Sequence, residues 1–234
     1  MSLREPVLHA TPVLDLRPTQ ITLGMQEVRR KRADWSRRPG ADLVRFLGSH
    51  MAPTILGLDG AHYLIDHHHL VRALYEEGVA SVFVTVVADL SRLPAGHFWN
   101  MLDFHGWTHP YDAAGKRRAY ADLPRTVKGM QDDPYRSLAG ELRHIGGFAK
   151  DSTPFSEFLW ADFLRPRIRE KLIKTDFDKA LAQAATLAKS ADADYLPGWS
   201  GGHGYVAGQA TKTGKARKKS KPERPRANRR RDAV

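Results

Sequence analysis

Apolar positions recur along this chain with two periods, near two and near 3.6 residues, and the changes of period mark out its elements. After a loose leader over residues 1–12, Pro12-Val13-Leu14-Asp15-Leu16 predicts a short strand that Arg17-Pro18-Thr19-Gln20 ends. Helical spacing follows from Gly24 to about Trp35, with Met25, Val28 and Ala33 on one side and a basic run on the other, and again from Ala41 to about Ser49. Pro53 to Leu58 and Ala61 to Ile65 read as a hairpin closed at Asp59-Gly60. Leu70, Val71, Ala73 and Leu74 suit the buried stripe of a helix running to about Glu77, and Ser81 to Val87 is the strongest strand in the chain. The order βααββαβ predicts a small α+β domain over residues 13–92.

Beyond it the pattern turns helical: Pro94 to His105, Pro134 to Ile145, Pro154 to Leu164 and Asp176 to Lys189, with breaks at Gly146-Gly147 and Arg165-Pro166. These elements predict a helical C-terminal subdomain over residues 93–196. The Gly-rich run from Pro197 to Gly204 reads as a linker, so residues 197–234 are expected to be linker and disordered basic tail.

Composition narrows this picture. Of the 234 residues 41% are hydrophobic, enough for a substantial core, and none is cysteine, which excludes disulfides, thiolate zinc sites and cysteine nucleophiles within this sequence. No run approaches the ~20 apolar residues of a membrane span, and Met1 to Pro6 has no apolar signal core, so no membrane is expected and the expected compartment is the cytoplasm. The net charge of +11 is uneven: from Thr211 onward eleven basic residues face two acidic ones, which leaves only +2 for the first 210 positions. A tail of that kind, residues 211–234, suits non-specific attachment to DNA or RNA with strong salt dependence; otherwise it is a solubilising arm.

The densest candidate chemistry lies in Leu64-Ile65-Asp66-His67-His68-His69-Leu70-Val71-Arg72-Ala73-Leu74, where an apolar strand ends in one acid and three imidazoles as a helix begins. Asp66 stands where an N-cap belongs, and the first-turn amides of such a helix form an anion site that a phosphate can share. Successive helical residues diverge by about 100°, so the three histidines cannot converge on one atom. The candidate catalytic residues are therefore Asp66 with one or two of His67, His68 and His69, and Arg72 is close enough along the helix to offer a bidentate phosphate contact. The plain alternative is an ordinary capping acid followed by exposed histidines. His105 and His109, either side of Trp107, are more simply packing residues than metal ligands, and Asp132-Asp133-Pro134 is the usual chemistry of a helix start. Arg136 and Ser137 follow in that helix's first turn, where they can project into a cleft.

Several segments resemble the divergent ParB-like nuclease branch of the ParB/sulfiredoxin superfamily. They are Pro18-Thr19-Gln20 with Gly24, Val28 and Lys31, the run from Ile65 to Leu74, Asp132 to Gly140, and Phe155 to Phe163, spanning roughly residues 13–190. The resemblance implies a small mixed-sheet domain whose strand-to-helix turn holds nucleotide phosphates. It also nominates Thr19, Gln20, Gly24, Lys31 and Arg72 as phosphate or nucleotide ligands. His67-His68-His69 occupies the turn where better-known ParB proteins carry a Gly-Glu-Arg-Arg motif and sulfiredoxins a Gly-Cys-His-Arg motif. Without cysteine, sulfiredoxin chemistry is excluded, and without the Glu-Arg-Arg pattern the CTP switch of partition proteins loses its residues. Free serine kinases of the same fold imply an acid pair, here Asp66 with Glu27.

Three functions follow as expectations. The first is a nuclease, in which the turn holds phosphate while one histidine activates water or binds a divalent ion, Mg²⁺ or Mn²⁺. The second is a nucleotide-dependent kinase acting on a small metabolite, and the third a non-enzymatic DNA-binding or partition-related module. The partner in each is a nucleotide or nucleic-acid phosphate, and a homodimer is an open alternative to a monomer.

Overall fold

A computed structural model of the protein describes residues 9–201. The expected tail 211–234, the first eight residues of the leader and linker residues 202–210 lie outside the described residues. The described chain holds eight α-helices and a five-stranded mixed sheet, so the expected α+β class stands.

The sheet order is β1 (His9–Pro12), β6 (Ser81–Asp89), β4 (Ala52–Leu56), β5 (His62–Leu64) and β2 (Arg17–Pro18). β4 and β5 form the expected antiparallel hairpin, β4 runs parallel to β6, and β2 runs parallel to β5. The first strand is displaced from its expected place. His9 to Pro12 pair with Val84 to Ser81, whereas Val13–Asp15 turn as a 3₁₀ helix. Val13 and Leu16 are almost wholly buried there, so their apolar pattern reflects two core anchors and not a strand face.

Helix α1 (Met25–Ser36) and helix α3 (His68–Glu76) pack on the sheet around Val28, Leu64, Val71 and Leu74. Helix α2 (Gly40–Ser49) leads into β4, and α4 (Ala95–Phe104) closes the hairpin side with Phe98 and Leu102 against Ile55 and Tyr63. Helices α5 (Pro134–His144), α6 (Ser156–Leu164), α7 (Glu170–Thr175) and α8 (Phe177–Ala188) build a separate cluster around Trp160, Leu138, Leu142 and Leu164. Residues expected as linker join it: Trp160 donates to the Pro197 carbonyl at 2.9 Å, and Ala149 donates to that of Gly198 at 2.7 Å.

A two-residue parallel pairing ties the two parts together. β3 (Thr22–Leu23) lies beside β7 (Gln131–Asp132), bringing the start of α1 against the start of α5. The approach is close enough that a Cβ on Gly24 would stand 2.9 Å from the Ser137 backbone, so only glycine fits. α1 is capped by distant groups there: Met25 N–H donates to Asp132 at 2.9 Å and Gln26 N–H to the Ser137 hydroxyl at 3.2 Å. Asp133 caps α5 from its own N-cap position, with Pro134 following as the sequence suggests. Among the described residues no helix is long and apolar enough to cross a membrane.

Candidate functional site

The start of α3 opens into a cleft of about 590 Å³ whose walls come from α1, α5 and the segment leading into α6. Its first turn differs from the expected one. His67, not Asp66, is the N-cap residue, and it sits in the left-handed region with φ 63°. Asp66 is exposed and accepts a hydrogen bond from the His67 amide at 2.6 Å, which holds the turn instead of capping the helix. The next three amides, of His68, His69 and Leu70, precede any carbonyl that could accept them within the helix, and all three residues line the cleft. An open first turn of this kind attracts anions. A non-glycine residue with positive φ stores strain of order 1 kcal/mol, and such residues concentrate at functional sites. A second one, Phe155 with φ 58°, lines the same cleft as the N-cap residue of α6.

The three histidines separate by role. His68 Nε2 accepts the Thr19 amide at 3.3 Å and His69 Nε2 accepts the Gly24 amide at 2.9 Å. An acceptor nitrogen carries no proton, so both rings are neutral with Nδ1–H. Burial drives their pKa values down to about 3, His69 also through the nearby Arg136, which agrees with that tautomer. These two rings fasten the 19–24 segment to α3. His67 differs: its Nδ1 is buried without a hydrogen-bond partner, and burial again lowers its pKa.

The expected phosphate ligands separate as well. Lys31 and Gln20 line the cleft. Thr19 does not; its hydroxyl donates to the Leu64 carbonyl at 2.8 Å and its amide goes to His68. Gly24 contributes its amide to His69 and its missing side chain to the α1–α5 contact. Arg72 points the other way. Its guanidinium pairs with Glu76 at 2.9 Å and donates to the carbonyls of Val127, Lys128 and Met130 at 3.0–3.2 Å, so it secures that loop and does not line the cleft.

Two residues on α1 and α5 are the site's electrostatic centre. Glu27 lies 3.6 Å from Lys31 Nζ, 3.6 Å from Arg136 Nη2 and 3.7 Å from His69 Nε2. Burial opposes its ionisation, yet His69, Arg136, Lys31 and Arg30 outweigh that and hold its carboxyl at about 2. Because His69 is neutral at neutral pH, the lasting counter-charges are the arginines and Lys31. Arg136 is buried, faces the Phe158 ring at 5.3 Å and leaves Nε and Nη1 without partners. An unsatisfied guanidinium in a buried site is costly unless a ligand completes it. Arg143, paired with Glu157 at 3.0 Å, and Lys150 line the far wall, which the sequence reading missed because neither lies in a recognisable motif.

No three His, Asp or Glu side chains among the described residues converge as a metal site. His105 and His109 stack separately, on Trp107 at 4.2 Å and on Tyr111 at 4.4 Å.

Comparison with known proteins bears on this cleft. A family described as "Putative ParB-like nuclease" matches residues 9–166. A crystal structure of protein Atu1540 from Agrobacterium tumefaciens is similar at 48% identity and TM-score 0.80, with 85% of this chain and 99% of that chain covered. Among curated proteins there is no match.

Proposed function

The chain belongs to the ParB-like nuclease family, and from that premise we propose that the cleft binds a phosphodiester of nucleic acid and hydrolyses it. The observation that carries this reading is Arg136, buried with two unpartnered guanidinium nitrogens beside Lys31 and the free amides of α3. A phosphate oxygen supplies the acceptors these donors lack, and the fork of an arginine matches it in a bidentate way.

In this reading a water oxygen attacks phosphorus, the bond to the leaving oxygen breaks, the water proton passes to neutral His67, and the leaving oxygen takes a proton from solvent. His68 and His69 present occupied Nε2 atoms, and Glu27 stays ionised and orients Arg136 and Lys31. The mixture of Arg136, Lys31 and α3 amides stabilises the charge gathered on the phosphoryl oxygens.

The test is cleavage of single-stranded and supercoiled DNA by the full chain, with and without Mg²⁺ or Mn²⁺, beside His67→Ala. A general base contributes about 10²–10⁴-fold, so the variant should lose at least ~100-fold in rate. Equal rates for the two proteins would remove His67 from the chemistry and point to a contaminant. Glu27 and Asp66 line the same cleft, which favours a second reading as a nucleotide-dependent kinase of a small hydroxyl metabolite. That reading requires phosphoryl transfer from a nucleotide without any DNA cleavage.

A further inference from the structure

On the helical part, a groove of about 520 Å³ between α7 and α8 is lined by Arg167, Arg169, Lys171 and Lys179 together with Thr175 and Gln183, over a floor that includes Leu172. No acidic side chain lines it. Among the described residues none of its four cations takes part in an ion pair, whereas neighbouring charges do: Glu170 pairs with Lys174, and Arg165 with Asp133 and Asp162. All four are exposed, so their charges face solvent unneutralised. Arg167 is partly fixed in place, with its guanidinium 4.0 Å over the Phe163 ring and Nη1 donating to the Phe163 carbonyl at 2.9 Å. The groove shares no residue with the cleft at α3.

We infer that this groove is a docking surface for the sugar-phosphate backbone of nucleic acid, separate from the cleft and independent of any chemistry there. Four unpaired cations around one groove call for a partner carrying several negative charges at close spacing. A duplex presents one charge per ~1.7 Å of its axis. Gln183 adds a neutral donor suited to phosphate oxygens, whereas the Thr175 hydroxyl donates to the Lys171 carbonyl at 2.9 Å; contacts of this kind read no sequence. A lipid surface fits less well, because Leu172 is the one apolar residue of this lining and it is half-buried. The basic stretch after Thr211 is a second polyanion-seeking element of the same sequence.

The test is binding of a fluorescently labelled DNA duplex by the full chain between 50 and 200 mM salt, in EDTA so that binding is read apart from cleavage. R167E/K171E/K179E should bind at least ~10-fold more weakly, and its plot of log K against log salt should be shallower by about 3, at ~0.9 per lost phosphate contact. K171E/K179E, which leaves the Arg167–Phe163 contact intact, should lose about 2. A control of equal charge change at exposed sites elsewhere, R92E/K116E/K128E, should change the slope by less than about 1. Equal losses in groove variants and control would mean attraction by net charge alone and overturn the proposal, as would unchanged slopes in the groove variants. A groove-dependent affinity for an acidic peptide or anionic vesicle exceeding that for duplex would overturn it in favour of that partner.

Discussion

Arg136→Met is expected to weaken phosphodiester binding by at least ~100-fold while changing the melting temperature by only a few degrees. Two unpartnered nitrogens, Nε and Nη1, await acceptors, and a hydrogen bond to a charged group contributes roughly 1.5–3 kcal/mol. Two such bonds amount to about 3–6 kcal/mol, and every 1.4 kcal/mol is tenfold in affinity. The unliganded protein has less to lose, because among the described residues Nε and Nη1 of Arg136 have no hydrogen-bond partner and Nη2 lies 3.6 Å from Glu27. Methionine keeps an apolar stem of similar length and removes the guanidinium, together with its contact to the Phe158 ring. Arg136→Lys separates charge from shape: it restores a cation but not the fork, so binding should recover only in part. Titration calorimetry with a non-hydrolysable dinucleotide reads both variants. Wild-type affinity in Arg136→Met would take the phosphate away from this cleft.

Acid should destabilise the fold well before its carboxylates titrate. His68, His69 and His109 are held at about 3 against an ordinary 6.5, in each case chiefly by burial. Between those values the unfolded chain binds protons that the folded chain refuses, so stability is full above about pH 6.5 and falls as pH drops toward 3. Glu27 adds a later loss, between its ordinary 4.5 and about 2, because its ionised form is the one the fold stabilises. Each pKa unit of difference is worth about 1.4 kcal/mol, so each of these histidines should lower the unfolding free energy by about 2 kcal/mol between pH 6.5 and 4.5. His69→Gln retains an acceptor for the Gly24 amide and cannot titrate. Its denaturant midpoint should therefore start lower at pH 7.5 yet decline less steeply with acid. A decline as steep as that of the unaltered chain would mean His69 is protonated in the folded state.

The sequence made some of this legible and concealed the rest for identifiable reasons. The hairpin at Asp59-Gly60, the strand from Ser81 and the Asp133-Pro134 helix start follow from local turn and capping chemistry, and all three form. Helix α7 escaped because Arg165-Pro166 reads as a break and six residues hold too few turns to show a period. Asp66 looked like a cap because an acid usually is one in that position, whereas His67 in the left-handed region takes the N-cap and moves the acid outside the helix. The division of the histidines could not be read from spacing. It depends on where the amides of Thr19 and Gly24 fall, 49 and 45 residues away. The same holds for Glu27 and Arg136, which meet because β3 pairs with β7 across more than a hundred residues. Local pattern located the turn; the long-range pairing selected the side chains that surround it.

The most direct measurement is a crystal structure of the protein with a bound phosphorothioate dinucleotide, whose sulfur marks the phosphorus by anomalous scattering. The phosphate should lie at the start of α3, within hydrogen-bond reach of Arg136 Nε or Nη1, Lys31 Nζ and the amides of His68 to Leu70, with the phosphorus facing His67. A phosphate held elsewhere, with Arg136 still unpartnered, would contradict the account.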